Sequence, residues 1–181
     1  QQRLACRLTC NANAPAMTNV GRARSFFGYA ATQNCSGSPT FSWSLGDGVV
    51  VSHRETTHAY ASAGRDEWRM TAQVEGETCT KSGTITVSDL VARFQFSNVP
   101  ATVDENVPFR ATVTATDSTG APARFYGRVT ISAATGVTPD WLDMDGGPWD
   151  GELMVHGCGT AIPLTAYGAS GARGGIAVRA T

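Results

Sequence analysis

The sequence predicts an all-β chain folded as two consecutive β-sandwiches. Three observations carry this. Apolar and polar residues alternate with a period of two along most of the chain. Clusters of Gly, Pro, Asn and Ser interrupt the alternation every eight to twelve residues or so. No segment of useful length shows helical periodicity. The 181 residues fit one large or two small domains.

The strands follow in order. In "FSWSL" Phe41, Trp43 and Leu45 share one face. In "WRMTAQV" Trp68, Met70, Ala72 and Val74 share one face and Arg69, Thr71 and Gln73 the other. "TITV" ends the first half with Ile85 and Val87 inward. After Ser88 the pattern restarts with "ARFQFSNVP", where Pro100 ends a strand, then "PFRATVTATD" and the turn "STGAP". "FYGRVTIS", "GELMV", "AIPLTAY" and "GIAVRA" supply the remaining strands. The expected domains are residues 1–88 and 89–181, joined by a linker of only a few residues.

Composition excludes several function classes. Hydrophobic residues make up 41% of the chain, enough for packed cores. Only 16% of residues are charged, against about 25% in ordinary soluble domains. The net charge is −1, with Lys81 the single lysine among fourteen basic residues, so there is no electrostatic footprint for nucleic acid. No apolar run approaches the roughly 20 residues needed to cross a bilayer, so membrane insertion is not expected. The chain starts at Gln1, which suits a mature secreted chain or an excised fragment. Five cysteines, at 6, 10, 35, 79 and 158, form no CxxC pair, and the histidines are not at zinc-finger spacing. Disulfides in an oxidising compartment explain them better than metal does.

"SWSLGDG", Ser42 to Gly48, could be a catalytic or metal-binding loop or a strand-ending turn. With "FSWSLGDG", "THAYASAG" and "SGTITV" in that order, residues 4 to 88 resemble a PKD domain, an immunoglobulin-like sandwich of secreted and surface proteins of bacteria and archaea. Ser44 stands where the family usually has Asp, Leu45 where it has Phe, and Asp66 where an aromatic is common. The second half, through "PFRATVTATDSTG", "FYGRVTIS" and "GGPWDGELMV", resembles bacterial immunoglobulin-like repeats. The resemblance implies that Trp43 fills the core, that Gly46, Asp47 and Gly48 make a tight turn, and that His58 and Tyr60 are structural, the tyrosine hydroxyl tying strand to loop. It also turns Phe26 of "RSFFGYA" inward and leaves Phe27 and Tyr29 outward as a candidate partner contact. A one-residue slip would reverse those faces.

In such a sandwich Cys6, Cys10, Cys35 and Cys79 fall at one pole. Cys6 and Cys10 are poor partners, because four extended residues span about 13 Å and a disulfide needs Cα atoms within roughly 7 Å. Two bridges are expected, each joining one of Cys6 and Cys10 to one of Cys35 and Cys79. The preferred pairing is Cys10 with Cys35 and Cys6 with Cys79; the competing Cys35–Cys79 bridge would leave two N-terminal thiols free. Cys158, in "VHGCGTA", has no evident partner, which fits a buried thiol or an intermolecular bond.

Catalytic residues are not expected: there is no GxSxG elbow, and His53, His58 and His156 fall in a loop, a structural motif and a strand end. The segment "DWLDMDGGPWDGE" offers Asp140, Asp143, Asp145, Asp150 and Glu152 as hard oxygen ligands for calcium. Its glutamate comes too early for an EF-hand, and Pro148 and Trp149 interrupt the loop. The alternative is a solvated hairpin with Trp149 packed on the core.

The expected function is a non-catalytic secreted or cell-surface module, bacterial by its resemblance, acting through protein partners or copies of itself. A sharper form is the repeating subunit of a filament or coat. The competing expectation is a carbohydrate-targeting or spacer module of a large secreted hydrolase, with glycan contacts at Phe27 and Tyr29.

Overall fold

The computed structural model describes residues 4–133, 140–156, 161–168 and 172–180. The described residues form sixteen strands and no helix, so none is long and apolar enough to cross a membrane as a helix. The chain divides into two compact units, Gln1–Ser88 and Asp89–Thr181.

The first unit contains β1 (Arg7–Asn13), β2 (Met17–Asn19), β3 (Arg24–Gln33), β4 (Thr40–Ser44), β5 (Val50–Val51), β6 (Glu55–His58), β7 (Gly64–Val74) and β8 (Glu77–Ser88). They form a three-stranded sheet, β1-β3-β6, and a five-stranded sheet, β2-β8-β7-β4-β5. The second unit contains β9 (Arg93–Ser97), β10 (Thr102–Val103), β11 (Pro108–Thr116), β12 (Tyr126–Ala133), β13 (Asp140–Asp145), β14 (Trp149–Met154), β15 (Ala161–Gly168) and β16 (Arg173–Ala180). Its sheets, β9-β11-β14 and β10-β16-β15-β12-β13, repeat the order of the first. In both units the opening strand is split. Its first part pairs in the small sheet, and a short second part crosses over to run parallel with the last strand. Both units are immunoglobulin-like sandwiches.

Alternation decides which residues fill each core. The inward set of β7 is Trp68, Met70, Ala72 and Val74, and Ile85 and Val87 of the neighbouring β8 are fully buried on the same face, across from Asp66 and Gly64. Trp43 is fully buried, edge-on to Phe26 at 5.6 Å and beside Trp68 at 5.8 Å. Its Nε1 has no hydrogen-bond partner, a cost the ring's burial has to offset. In the second unit Phe94, Val113, Val129, Ile131, Leu142 and Leu164 are buried together.

Two features make strand interiors with glycine workable. Trp68 lies over Gly83, where a Cβ would come 2.6 Å from its ring, and Trp149 lies over Gly151 in the same way at 2.0 Å. The β7–β8 hairpin turns on Glu75 and Gly76, with φ of 47° and 86°, the pair of positive values that a type I′ turn requires. The Glu75 carboxylate then accepts the backbone N–H groups of Ser36 and Gly37, tying this turn to the loop after β3.

The disulfides join Cys6 to Cys35 and Cys10 to Cys79. This exchanges the preferred partners, and strand register is the reason. β1 pairs with β3 so that Arg7 faces Gln33 and Cys10 faces Ala30. Cys6 and Cys35 are thus brought together just beyond the end of that ladder. Cys35 lies five residues past the partner of Cys10, about 16 Å away along an extended strand. Cys10 instead points inward, toward Cys79 on the inner face of β8. That cysteine lies inside the last strand, which starts at Glu77, earlier than the "TITV" pattern implied. Cys158 lies outside the described residues.

Candidate functional site

Three groups of residues were candidates for function, and the fold treats each differently. The first is the corner between β4, β6 and β7. Gly46 has φ of 98°, and a Cβ there would lie 2.8 Å from the Asp66 Cβ and 2.9 Å from the Glu67 nitrogen. The position therefore needs glycine for conformation and for space. Gly48, with φ of 92°, has open space around it and needs glycine for conformation alone. Asp47 accepts the N–H of Val49 at 3.2 Å through Oδ1 and meets His58 Nε2 at 2.6 Å through Oδ2. The His58 ring packs edge-on to Tyr60 at 4.6 Å, and the buried Tyr60 hydroxyl donates to the Leu45 carbonyl at 2.8 Å. Burial, then the nearby Asp47 and Asp66 carboxylates, push the Tyr60 phenol far up.

Asp66, which stands where the PKD pattern commonly has an aromatic, belongs to this corner. Burial raises its carboxyl, Asp47 raises it further, and His58 opposes them. The corner thus holds two carboxylates and an imidazole. Their geometry ties a turn to two strands: the Tyr60 hydroxyl is committed to a carbonyl and His58 to Asp47. Among the described residues no three His, Cys, Asp or Glu side chains are placed to hold a metal ion.

The second group lies on the outer face of the β1-β3-β6 sheet. Phe26 is fully buried, and Phe27 and Tyr29 point the other way. Gly28 between them gives Phe41 room beneath the sheet, where a Cβ would come 2.7 Å from that ring. Phe27 and Tyr29 are 4.6 Å apart, and Tyr29 is 47% exposed. The Arg54 guanidinium lies over Phe27 at 4.8 Å, and its Nε donates to the Gly28 carbonyl at 3.1 Å. Arg54 was not a sequence candidate. It lies in the turn before β6, and only the pairing of Phe27 with Glu55 brings it alongside. Phe27 is contacted from two directions, which leaves Tyr29 as the exposed ring. Asn11 stands directly across from it, and with Thr9 and Ala31 it borders a shallow depression of about 250 Å³.

The third group is the acidic segment, and here the expected hairpin gives way. β13 belongs to the five-stranded sheet and β14 to the three-stranded one, so the segment crosses between layers. Asp143 and Asp145 are on one side of that crossing, Asp150 and Glu152 on the other. Asp143 faces Arg128 at 3.6 Å; Arg110 approaches Asp150 at 3.6 Å and Glu152 at 4.0 Å. Cross-strand arginines thus lie beside Asp143, Asp150 and Glu152. Trp149 does pack against the core.

No family model and no curated protein matches the chain. Among solved structures it is similar to the adhesin InvE of Yersinia pseudotuberculosis, at 18% identity and a TM-score of 0.48, over 94% of this chain and 58% of that one. It is also similar to domains 4–9 of the surface layer protein SbsC, at 15% identity and a TM-score of 0.42, over 79% of this chain and 22% of that one. A third is a β-glycosidase from Bacteroides vulgatus, at 11% identity and a TM-score of 0.38, over 94% of this chain and 24% of that one. The chain thus spans less than two thirds of each of these structures.

Proposed function

We propose that the chain is a non-catalytic secreted or cell-surface module, PKD-like in its first unit, that works by protein–protein contact through the outer face of the β1-β3-β6 sheet. The observation that carries this reading is the ordered aromatic patch on that face: Tyr29 exposed, its ring tilted against a Phe27 that Arg54 also holds. A half-exposed aromatic fixed in place loses little entropy on binding and presents both apolar surface and a hydroxyl, the properties of interface anchors. The two disulfides favour an oxidising environment. In its sharper form the partner is another copy, and the chain is the subunit of a filament or coat.

The test is sedimentation and electron microscopy of the full chain at high concentration. Assemblies that Tyr29→Ala disperses, and that Tyr167→Ala in the second unit leaves intact, support the reading. A strict monomer at millimolar concentration removes the filament form. A second reading, glycan binding, draws on Asn11 beside the Tyr29 ring, an amide next to an aromatic face. It predicts retention on a polysaccharide matrix that Tyr29→Ala abolishes.

A further inference from the structure

The two units close the seam between their first and last strands in different ways. In the first, the Cys10–Cys79 bridge joins β1 to β8. In the second, the equivalent strands β9 and β16 contain no cysteine and belong to different sheets. Among the described residues no backbone hydrogen bond joins them. They touch at Gly174, where a Cβ would lie 1.3 Å from the Phe94 carbonyl oxygen, so only glycine permits the approach.

From that point the seam opens. Ile176 pairs with the fully buried Leu164 and so points to the inner face of its sheet, yet it is 37% exposed. Phe96 also faces inward and is only partly covered. The result is a groove of about 500 Å³, walled by Arg93 to Phe96 on one side and Arg173 to Ile176 on the other.

Backbone and charge both indicate what fits there. In an antiparallel ladder alternate residues turn N–H and C=O away from the partner strand. The Phe94 carbonyl faces β16, so Phe96, two residues on, also presents its backbone to the groove. β16 is paired on this side only at Arg179 and Ala180, through β10. Arg93 and Arg173 line the groove beside the Phe94–Gly174 contact, on the outer sides of the two walls, and no carboxylate is among the lining residues.

We propose that this groove receives an extended polypeptide strand from another molecule, in which aliphatic and acidic residues alternate. Its aliphatic side chains cover Phe96 and Ile176. Its backbone pairs with the open edge of β9. Its carboxylates, pointing outward, meet Arg93 and Arg173. The site is separate from the aromatic face of the first unit, so either can fail alone.

The test titrates the full chain with two blocked synthetic heptapeptides, one alternating valine and aspartate, the other valine and lysine. Binding is followed by fluorescence anisotropy and by hydrogen exchange at the Phe96 amide. The wild-type chain is expected to favour the aspartate peptide at least ten-fold and to protect that amide. The Arg93→Glu/Arg173→Glu chain is expected to reverse the preference. Both arginines are exposed, and an unchanged melting temperature checks that the variant folds. Binding of neither peptide at millimolar concentration, or a preference that survives the charge reversal, overturns the proposal.

Discussion

At the scale of single residues, the glycines around Asp47 separate conformation from space. Gly46→Ala is expected to cost about 2–4 kcal/mol, combining left-handed strain with collision against Asp66 and Glu67. Gly48→Ala meets only the strain, about 1 kcal/mol. Chemical denaturation of the two variants should reproduce that order. Tyr60→Phe leaves the Leu45 carbonyl without its donor and should cost about 1–2 kcal/mol by the same measurement. Asp66 gives a pH signature. Its folded-state carboxyl is raised, so its contribution is fully present below the ordinary aspartate range and is lost as pH rises through the raised value. Asp66→Asn should therefore raise the melting temperature of the first unit at pH 7 and leave it little changed near pH 3. Equal shifts at both pH values would contradict this account.

At the scale of elements, the disulfides give the sharpest measurement. Non-reducing peptide mapping should recover Cys6 with Cys35 and Cys10 with Cys79. The Cys10–Cys79 bridge closes 69 residues of sequence, so Cys10→Ser/Cys79→Ser should cost about 4 kcal/mol. These elements also mark how far the sequence can be read. Inward sets such as Trp68, Met70, Ala72 and Val74 are legible because alternation is local: each residue's face follows from its neighbours. Which cysteine meets which is not legible, because it depends on the register of β1 against β3, and no residue within either strand announces that register. The acidic segment departs from the expected hairpin for a related reason. Asp-x-Asp-Gly has the same spacing whether the chain turns back on itself or crosses to the other layer, and only the pairing of β13 and β14 with different strands decides. Arg54 gave no signal of its own, since its partner Phe27 is distant in sequence. Of the candidate site, Phe27 and Tyr29 could be placed on a face beforehand, and their surroundings could not.

At the scale of the whole molecule, the two units share a topology but not a means of holding it. Both bridges lie in the first. Calorimetry with and without reductant should lower the transition of the first unit and leave that of the second in place. Reductant moving both transitions equally would contradict this.

The Cys10–Cys79 bridge has a further consequence when the chain is pulled from its ends. Tension entering at β1 passes through the sulfur atoms directly into β8, because the bridge spans the sequence between them. The intervening loop, roughly 230 Å if drawn out, is a length that oxidised material cannot release under load. The second unit has no such shunt among its described residues: its opening strand grips the last one through the two-residue parallel pairing of β10 with β16. A single-molecule stretching trace of the oxidised chain should show one full extension event, from the second unit, and a second event only after reduction.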